Sequence, residues 1–166
     1  MSPIDADPQS LSLQELRALR ADLQHQDDVV SYVRRVAQAR LDLVRAEQHR
    51  RQVGDDVPLT EELSGILGSH LTGGPPRPPR PADDFSDHPL AAELEQLCED
   101  AGGTDLQSLD DAELATFGDR LHDFEQGRSG ERRELFGRID ALSAELVRRY
   151  REGEADVDGL LADDDG

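Results

Sequence analysis

QSLSLQELRALRADLQHQDDVVSYVRRVAQARLDLVRAEQHRR, residues 9–51, is repeated by a second stretch of the chain, and this repeat predicts the architecture. Residues 107–149 align with it at a constant offset of 98 positions without a gap, and fifteen of the 43 aligned pairs are identical. Shared composition alone produces several-fold fewer identities, so the chain contains an internal repeat. Apolar residues recur at helical spacing in both copies, which predicts two long helices over 10–52 and 108–151.

The ends of these two helices carry recognisable signals. Ser12 with Glu15 forms a capping box at the start of the first helix, and Asp110 with Glu113 occupies the same slots in the second. The stretch Gln126-Gly-Arg-Ser-Gly130 reads locally as a turn, but the ungapped alignment on both sides favours one unbroken helix. Two long amphipathic helices in one chain pack most simply as an antiparallel coiled coil, so the predicted fold is all-α, a long antiparallel helical hairpin.

The rest of the chain predicts smaller features around one helical domain, residues 10–151. Short helices are expected over 60–71 and 89–100, separated by a Pro/Gly-rich linker over 73–88 that is expected to be disordered. Residues 1–9 and the acidic tail, residues 152–166, are also predicted to be disordered.

Charge is distributed unevenly along the chain. The formal net charge is −19, all 18 basic residues are arginine, and most of them lie in the two repeats. The acidity argues against direct binding to duplex DNA and favours a basic protein partner. The chain has no secretion signal and no apolar run long enough to span a membrane, so a cytoplasmic location is expected.

Each repeat carries a series of mostly polar residues at spacings of 4, 3, 4 and 4. The series comprises Asp27, Ser31, Arg34, Gln38 and Asp42 in the first copy, and Glu125, Ser129, Arg132, Phe136 and Asp140 in the second. At 100° per residue the first copy covers an arc of about 80° beside the apolar stripe. We expect both copies to form polar ridges along the edge of the helical seam.

Two interpretations of these ridges are open. They are either rows of surface ion pairs, which contribute only about 0.2–0.5 kcal/mol each, or a ligand site. Arginine reads the O6/N7 edge of guanine or binds phosphate, while a carboxylate accepts hydrogen bonds from guanine N1–H and its exocyclic amine. Repetition in register favours a symmetric, anionic ligand that carries guanines.

The doubled series resembles the cyclic-di-GMP-binding motif Glu-x3-Ser-x2-Arg-x3-Gln-x3-Asp of the RsiG family of actinobacterial anti-sigma factors. The resemblance implies a protein that holds a flagellar- or sporulation-type sigma factor inactive, with an intercalated cyclic-di-GMP dimer as the bridge. It also implies ligand contacts from both copies of the series. Asp27 departs from the family pattern by being one methylene shorter than Glu, and Phe136 replaces Gln with a ring that can stack on a base.

Two other classes of function remain as alternatives. A structural coiled-coil adaptor with no nucleotide ligand would use the same ridges only as solvated faces. An enzyme is disfavoured because the five histidines show no metal-ligand spacing and the chain has neither a phosphate-binding loop nor a nucleophile elbow. We therefore expect no catalytic residue, no metal and no cofactor other than the regulatory ligand.

Overall fold

A computed structural model describes residues 7–54 and 84–153, and three helices make up most of these two ranges. The long helices are α1, Leu13–Val53, and α3, Asp111–Arg151; the shorter α2 is Pro89–Asp100. A single turn of 3-10 helix precedes each long helix, at Pro8–Ser10 and Leu106–Ser108. The described residues contain no β-strand. The all-α prediction is confirmed, and each predicted long helix, as well as the helix over 89–100, is found within three residues of its expected limits.

The chain divides into two compact units, and each long helix contributes a segment to both. The terminal unit is Met1–Asp28 with Gly130–Gly166, and the middle unit is Val29–Ser129. In the terminal unit, Asp27 contacts Arg132 and Arg17 contacts Tyr150, so the two helical segments run antiparallel. In the middle unit, Arg51 of α1 pairs with Asp111 of α3 and Arg34 pairs with Glu125, so these two segments also run antiparallel. The predicted antiparallel pairing is thus confirmed within each unit, whereas the single domain over 10–151 stays a prediction.

Both units bury the predicted apolar stripes. The core of the middle unit includes α2, which contributes three buried side chains against α1 and α3. Its buried members are Val33, Ala37, Leu41, Val44, Ala91, Leu94, Cys98, Leu114, Phe117 and Leu121. The terminal unit buries Leu16, Leu23, Leu135, Ile139, Leu142 and Leu146.

Both predicted capping boxes are present. The Ser12 hydroxyl accepts from Glu15 N at 3.2 Å, while the Glu15 carboxylate accepts from Ser12 N at 2.7 Å. Asp110 and Glu113 repeat this exchange at 2.8 and 2.9 Å. Each box satisfies backbone N–H groups that have no partner inside the helix, which is why both helices begin at equivalent positions.

A second repeated device ties the end of α1 to the start of the second repeat. The Arg51 guanidinium donates to the carbonyl oxygens of Leu106 and Leu109 at 2.9 and 2.8 Å. Buried Glu47 orients it, because the Glu47 carboxylate accepts from Arg50 and Arg51 at 2.8–2.9 Å. The hydrogen bonds from Arg50 contribute most to lowering the pKa of Glu47, which falls to about 2. The carboxylate is therefore ionised at neutral pH.

The terminal unit contains the counterpart of this device. Glu145 accepts from Arg148 and Arg149 at 2.8–2.9 Å. Arg149 in turn donates to the carbonyl oxygens of Pro8 and Gln9 at 3.3 and 3.2 Å. The identities shared by the two repeats at these positions thus serve the fold, since each arginine holds the turn that opens the other copy.

Three predictions of disorder need correction at their edges. Residues 7–9 are ordered, because the Asp7 carboxylate accepts from Gln9 N at 3.0 Å and so caps the first 3-10 turn. Residues 84–88 of the predicted linker are ordered as well: Phe85 packs edge-on against Tyr32 with 5.8 Å between ring centroids, and His88 caps α2. Residues 152 and 153 form the turn that ends α3. The predicted helix over 60–71, the linker up to residue 83, residues 1–6 and the tail from 154 lie outside the described residues.

The glycines of the second repeat do not interrupt α3. The helix runs through Gly127 and Gly130, and a Cβ atom built at either position meets nothing within 4 Å. The prediction of one unbroken helix is therefore confirmed.

Candidate ligand site

In the middle unit, side chains from the two copies of the series converge on one carboxylate. Glu125 accepts hydrogen bonds from Arg34 and Gln38 of α1, both at 3.2 Å, and from Ser129 of α3 at 2.8 Å. Glu125 is only 6 % exposed. Donors from α1 and α3 thus bond the same acceptor.

The Glu125 carboxylate carries a charge despite its burial. Burial is the largest single influence and raises its pKa, but the hydrogen bonds from Ser129 and Arg34, together with the Arg34 charge, outweigh it. The net result is a pKa below the ordinary value for glutamate. Glu125 is consequently an acceptor only, of the kind that binds paired N–H donors.

Two donors beside this cluster are buried without hydrogen-bond partners in the described part of the chain. They are the Ser31 hydroxyl and Nε of Arg34, which lie one helical turn apart on α1. Buried polar groups are normally satisfied, so an unpartnered donor requires an explanation. A bound ligand with acceptor atoms would supply the missing partners.

In the terminal unit, the remaining members of the series make a different set of contacts. Nε of Arg132 donates to Oδ1 of Asp27 at 3.2 Å. The Arg132 guanidinium also lies over the Phe136 ring, 4.7 Å from its centroid, in cation–π geometry. Phe136 is 42 % exposed and Asp140 is exposed too, so a planar ring and a carboxylate are accessible on this segment of α3.

One rule of pairing holds in both units. The arginine at the third position of one copy bonds the acid at the first position of the other copy: Arg34 with Glu125, and Arg132 with Asp27. The sequence repeat therefore produces a reciprocal exchange of charged partners between α1 and α3. Side-chain spacing within one helix does not reveal this exchange.

An open pocket of about 490 Å³ lies beside Glu125 in the middle unit. Three members of the series line it, together with four residues outside the series. The lining comprises Gln38, Asp42 and Glu125, and then Leu41, Arg45, His122 and Gln126. Arg45 and His122 were not predicted from the sequence, because their repeat counterparts are Ser143 and Gln24 and comparison of the two copies gives no signal there.

The ten predicted site residues are thus divided between the two units. The middle unit contains six of them: Ser31, Arg34, Gln38, Asp42, Glu125 and Ser129. The terminal unit contains Asp27, Arg132, Phe136 and Asp140. No group of three or more histidine, cysteine, aspartate or glutamate side chains suited to a metal ion occurs among the described residues. Over the same ranges, no helix combines the length and apolar character needed to cross a bilayer.

A family model described as RsiG-like matches residues 3–67 and 100–163. The two matched segments each contain one copy of the polar series. No curated protein matches the chain.

Proposed function

The chain belongs to the RsiG-like family, and we propose that it is an anti-sigma factor that binds cyclic-di-GMP and sequesters a flagellar- or sporulation-type sigma factor. The family itself indicates a regulatory role of the anti-sigma type. The family and the all-helical fold together point to a protein that is not an enzyme. The proposed ligand contacts are the ten residues of the two polar series.

The cross-copy pairing of arginine with a carboxylate is the observation that carries this proposal. In each unit, a guanidinium and a carboxylate from different copies lie 3.2 Å apart. Arginine can donate to O6 and N7 of guanine, and a carboxylate can accept from N1–H and the amino group. Each unit thus offers both halves of guanine recognition next to each other.

Charge supports the choice of an anionic dinucleotide and a basic protein as partners. Two molecules of cyclic-di-GMP carry four phosphate charges, and the repeats concentrate the arginines of a chain whose net charge is −19. The acidic remainder of the chain complements the basic, promoter-binding surfaces of a sigma factor.

Isothermal titration calorimetry with cyclic-di-GMP, with and without the sigma factor, tests the proposal. We expect binding by the wild-type protein and a loss of about 10-fold to 100-fold for Arg34→Ala and for Arg132→Ala, since a hydrogen bond to a charged group contributes about 1.5–3 kcal/mol. Arg35→Ala is the matched control, because Arg35 is an exposed neighbour on α1 outside the series. Absence of binding both with and without the sigma factor would exclude the proposal.

A structural adaptor is the second candidate, and one observation favours it. Both arginines of the series already bond a carboxylate of the series across the helices, so ion pairing alone accounts for part of the arrangement. An adaptor predicts that Arg34→Ala and Arg132→Ala lower the melting temperature but leave partner binding unchanged and independent of cyclic-di-GMP. A pull-down of the sigma factor with and without cyclic-di-GMP separates the two functions.

A further inference from the structure

The pocket of the middle unit has an arginine and a histidine that do not belong to the polar series. Arg45 follows Asp42 by one turn of α1, with 3.7 Å between Nη1 and Oδ1, and its side chain is 60 % exposed. His122 precedes Glu125 by one turn of α3 and is also exposed. Both line the pocket of about 490 Å³.

If the pocket binds an anion, positive charge and hydrogen-bond donors are needed in its lining. Two carboxylates, Asp42 and Glu125, line the pocket and would repel a phosphate. Arg34 lies beside the pocket, but one of its guanidinium nitrogens already donates to Glu125. Arg45 brings positive charge to an incoming phosphate, and the His122 ring can donate a hydrogen bond to it.

The repeat shows that these two groups distinguish one copy from the other. Arg45 aligns with Ser143, and His122 aligns with Gln24, so the terminal unit has neutral residues at both equivalent positions. The terminal unit also has Phe136 where the middle unit has Gln38. The two units therefore have chemically different surfaces around the members of the series that are identical in both copies.

We propose that Arg45 and His122 bind a phosphate group of the ligand in the middle unit, so that the two ligand positions are unequal. This inference rests on the proposed function, since the phosphate belongs to cyclic-di-GMP. Asp42 and Glu125 then face the guanine edge, and Arg45 and His122 face the phosphate. Loss of these two side chains weakens the middle-unit position and leaves the terminal unit unaffected.

The test replaces each residue by its own counterpart in the other copy. Titration calorimetry with cyclic-di-GMP compares the wild-type protein with the double variant Arg45→Ser/His122→Gln, and Arg120→Ser serves as a control that removes one exposed positive charge from α3 of the same unit. At about 50 mM NaCl we expect the double variant to bind about 10-fold more weakly. At about 500 mM NaCl the difference should shrink to about 2-fold, because salt screens exposed charges. Arg120→Ser should bind like wild type, and all three melting temperatures should agree.

The possible failures are distinguishable. If the wild-type protein binds and the double variant binds equally well, the inference is wrong and the proposed function stands. If Arg120→Ser loses as much affinity as the double variant, the effect belongs to net charge and the inference is also wrong. If the wild-type protein does not bind cyclic-di-GMP with or without the sigma factor, both the proposed function and this inference are overturned.

Discussion

Replacing Gly127 and Gly130 by alanine should stabilise the protein. Both glycines lie inside α3, where alanine is favoured over glycine by about 0.5–1 kcal/mol per position. An added Cβ meets no atom within 4 Å at either position, so no steric cost opposes the gain. The double variant should gain about 1–2 kcal/mol in free energy of unfolding, which corresponds to a rise of roughly 2–8 °C in melting temperature. Thermal and urea unfolding followed by circular dichroism measure both quantities.

Gly103→Ala is the matched substitution that should lower the free energy of unfolding. Its Cβ would lie 2.4 and 2.6 Å from ring carbons of Phe117 and 3.1 Å from the carbonyl oxygen of Cys98. Phe117 is buried in the core of the middle unit and cannot move away freely, so overpacking should cost about 1–3 kcal/mol. If the double variant at 127 and 130 melts below the wild type, the predicted stabilisation is wrong, because the chain would then need glycine for a turn there.

Three further predictions concern the core, acid stability and thiol reactivity. Leu121→Ala should cost about 2–5 kcal/mol because Leu121 is fully buried, whereas Leu43→Ala at a 48 % exposed position should change the free energy of unfolding by less than about 0.5 kcal/mol in denaturant titrations. The pKa of Glu47 is lowered from 4.5 to about 2, so its contribution to stability is complete above about pH 4.5 and is lost as pH falls towards 2; Glu47→Gln should flatten the dependence of melting temperature on pH in that window, and an unchanged slope would contradict the assignment. Burial raises the pKa of the Cys98 thiol even though Arg40 donates to it, so Cys98 should react with a disulfide reagent only slowly until denaturant is added, and fast labelling of the native protein would count against this.

The repeated residues divide into two classes with different physical roles. Arg51 and Arg149, with their glutamates, hold backbone carbonyls of the turns that open the opposite copy. Arg34 and Arg132 instead bond side-chain carboxylates at the edge of the seam, where a ligand has access. The residues that are identical in both repeats therefore include residues that stabilise the fold and residues of the candidate site. The acceptor distinguishes the two classes: the first arginines bond backbone carbonyls, and the second bond side-chain carboxylates.

The sequence alone determined the helices, their caps and the apolar faces that they bury. These features depend on contacts within a few residues: a capping box joins positions three apart, and an amphipathic stripe follows the 3.6-residue period. Ser12 and Asp110 were predicted because helix capping is local, whereas the unbroken path through Gly127 was predicted from the ungapped alignment of the two repeats, against a local turn signal. Order at residues 7–9 and 84–88 was missed, because it depends on Asp7 capping a 3-10 turn and on Phe85 packing against Tyr32.

Only the tertiary structure decided which turn of α1 faces which turn of α3. That register pairs Arg34 with Glu125 and brings Arg45 and His122 to one pocket, although 77 positions separate the latter two in the chain. Helical periodicity places a side chain on a face but does not fix its height relative to another helix. The register is set by packing between distant segments and by the arginines that hold the opposite turns, and both act only after the chain has folded back on itself.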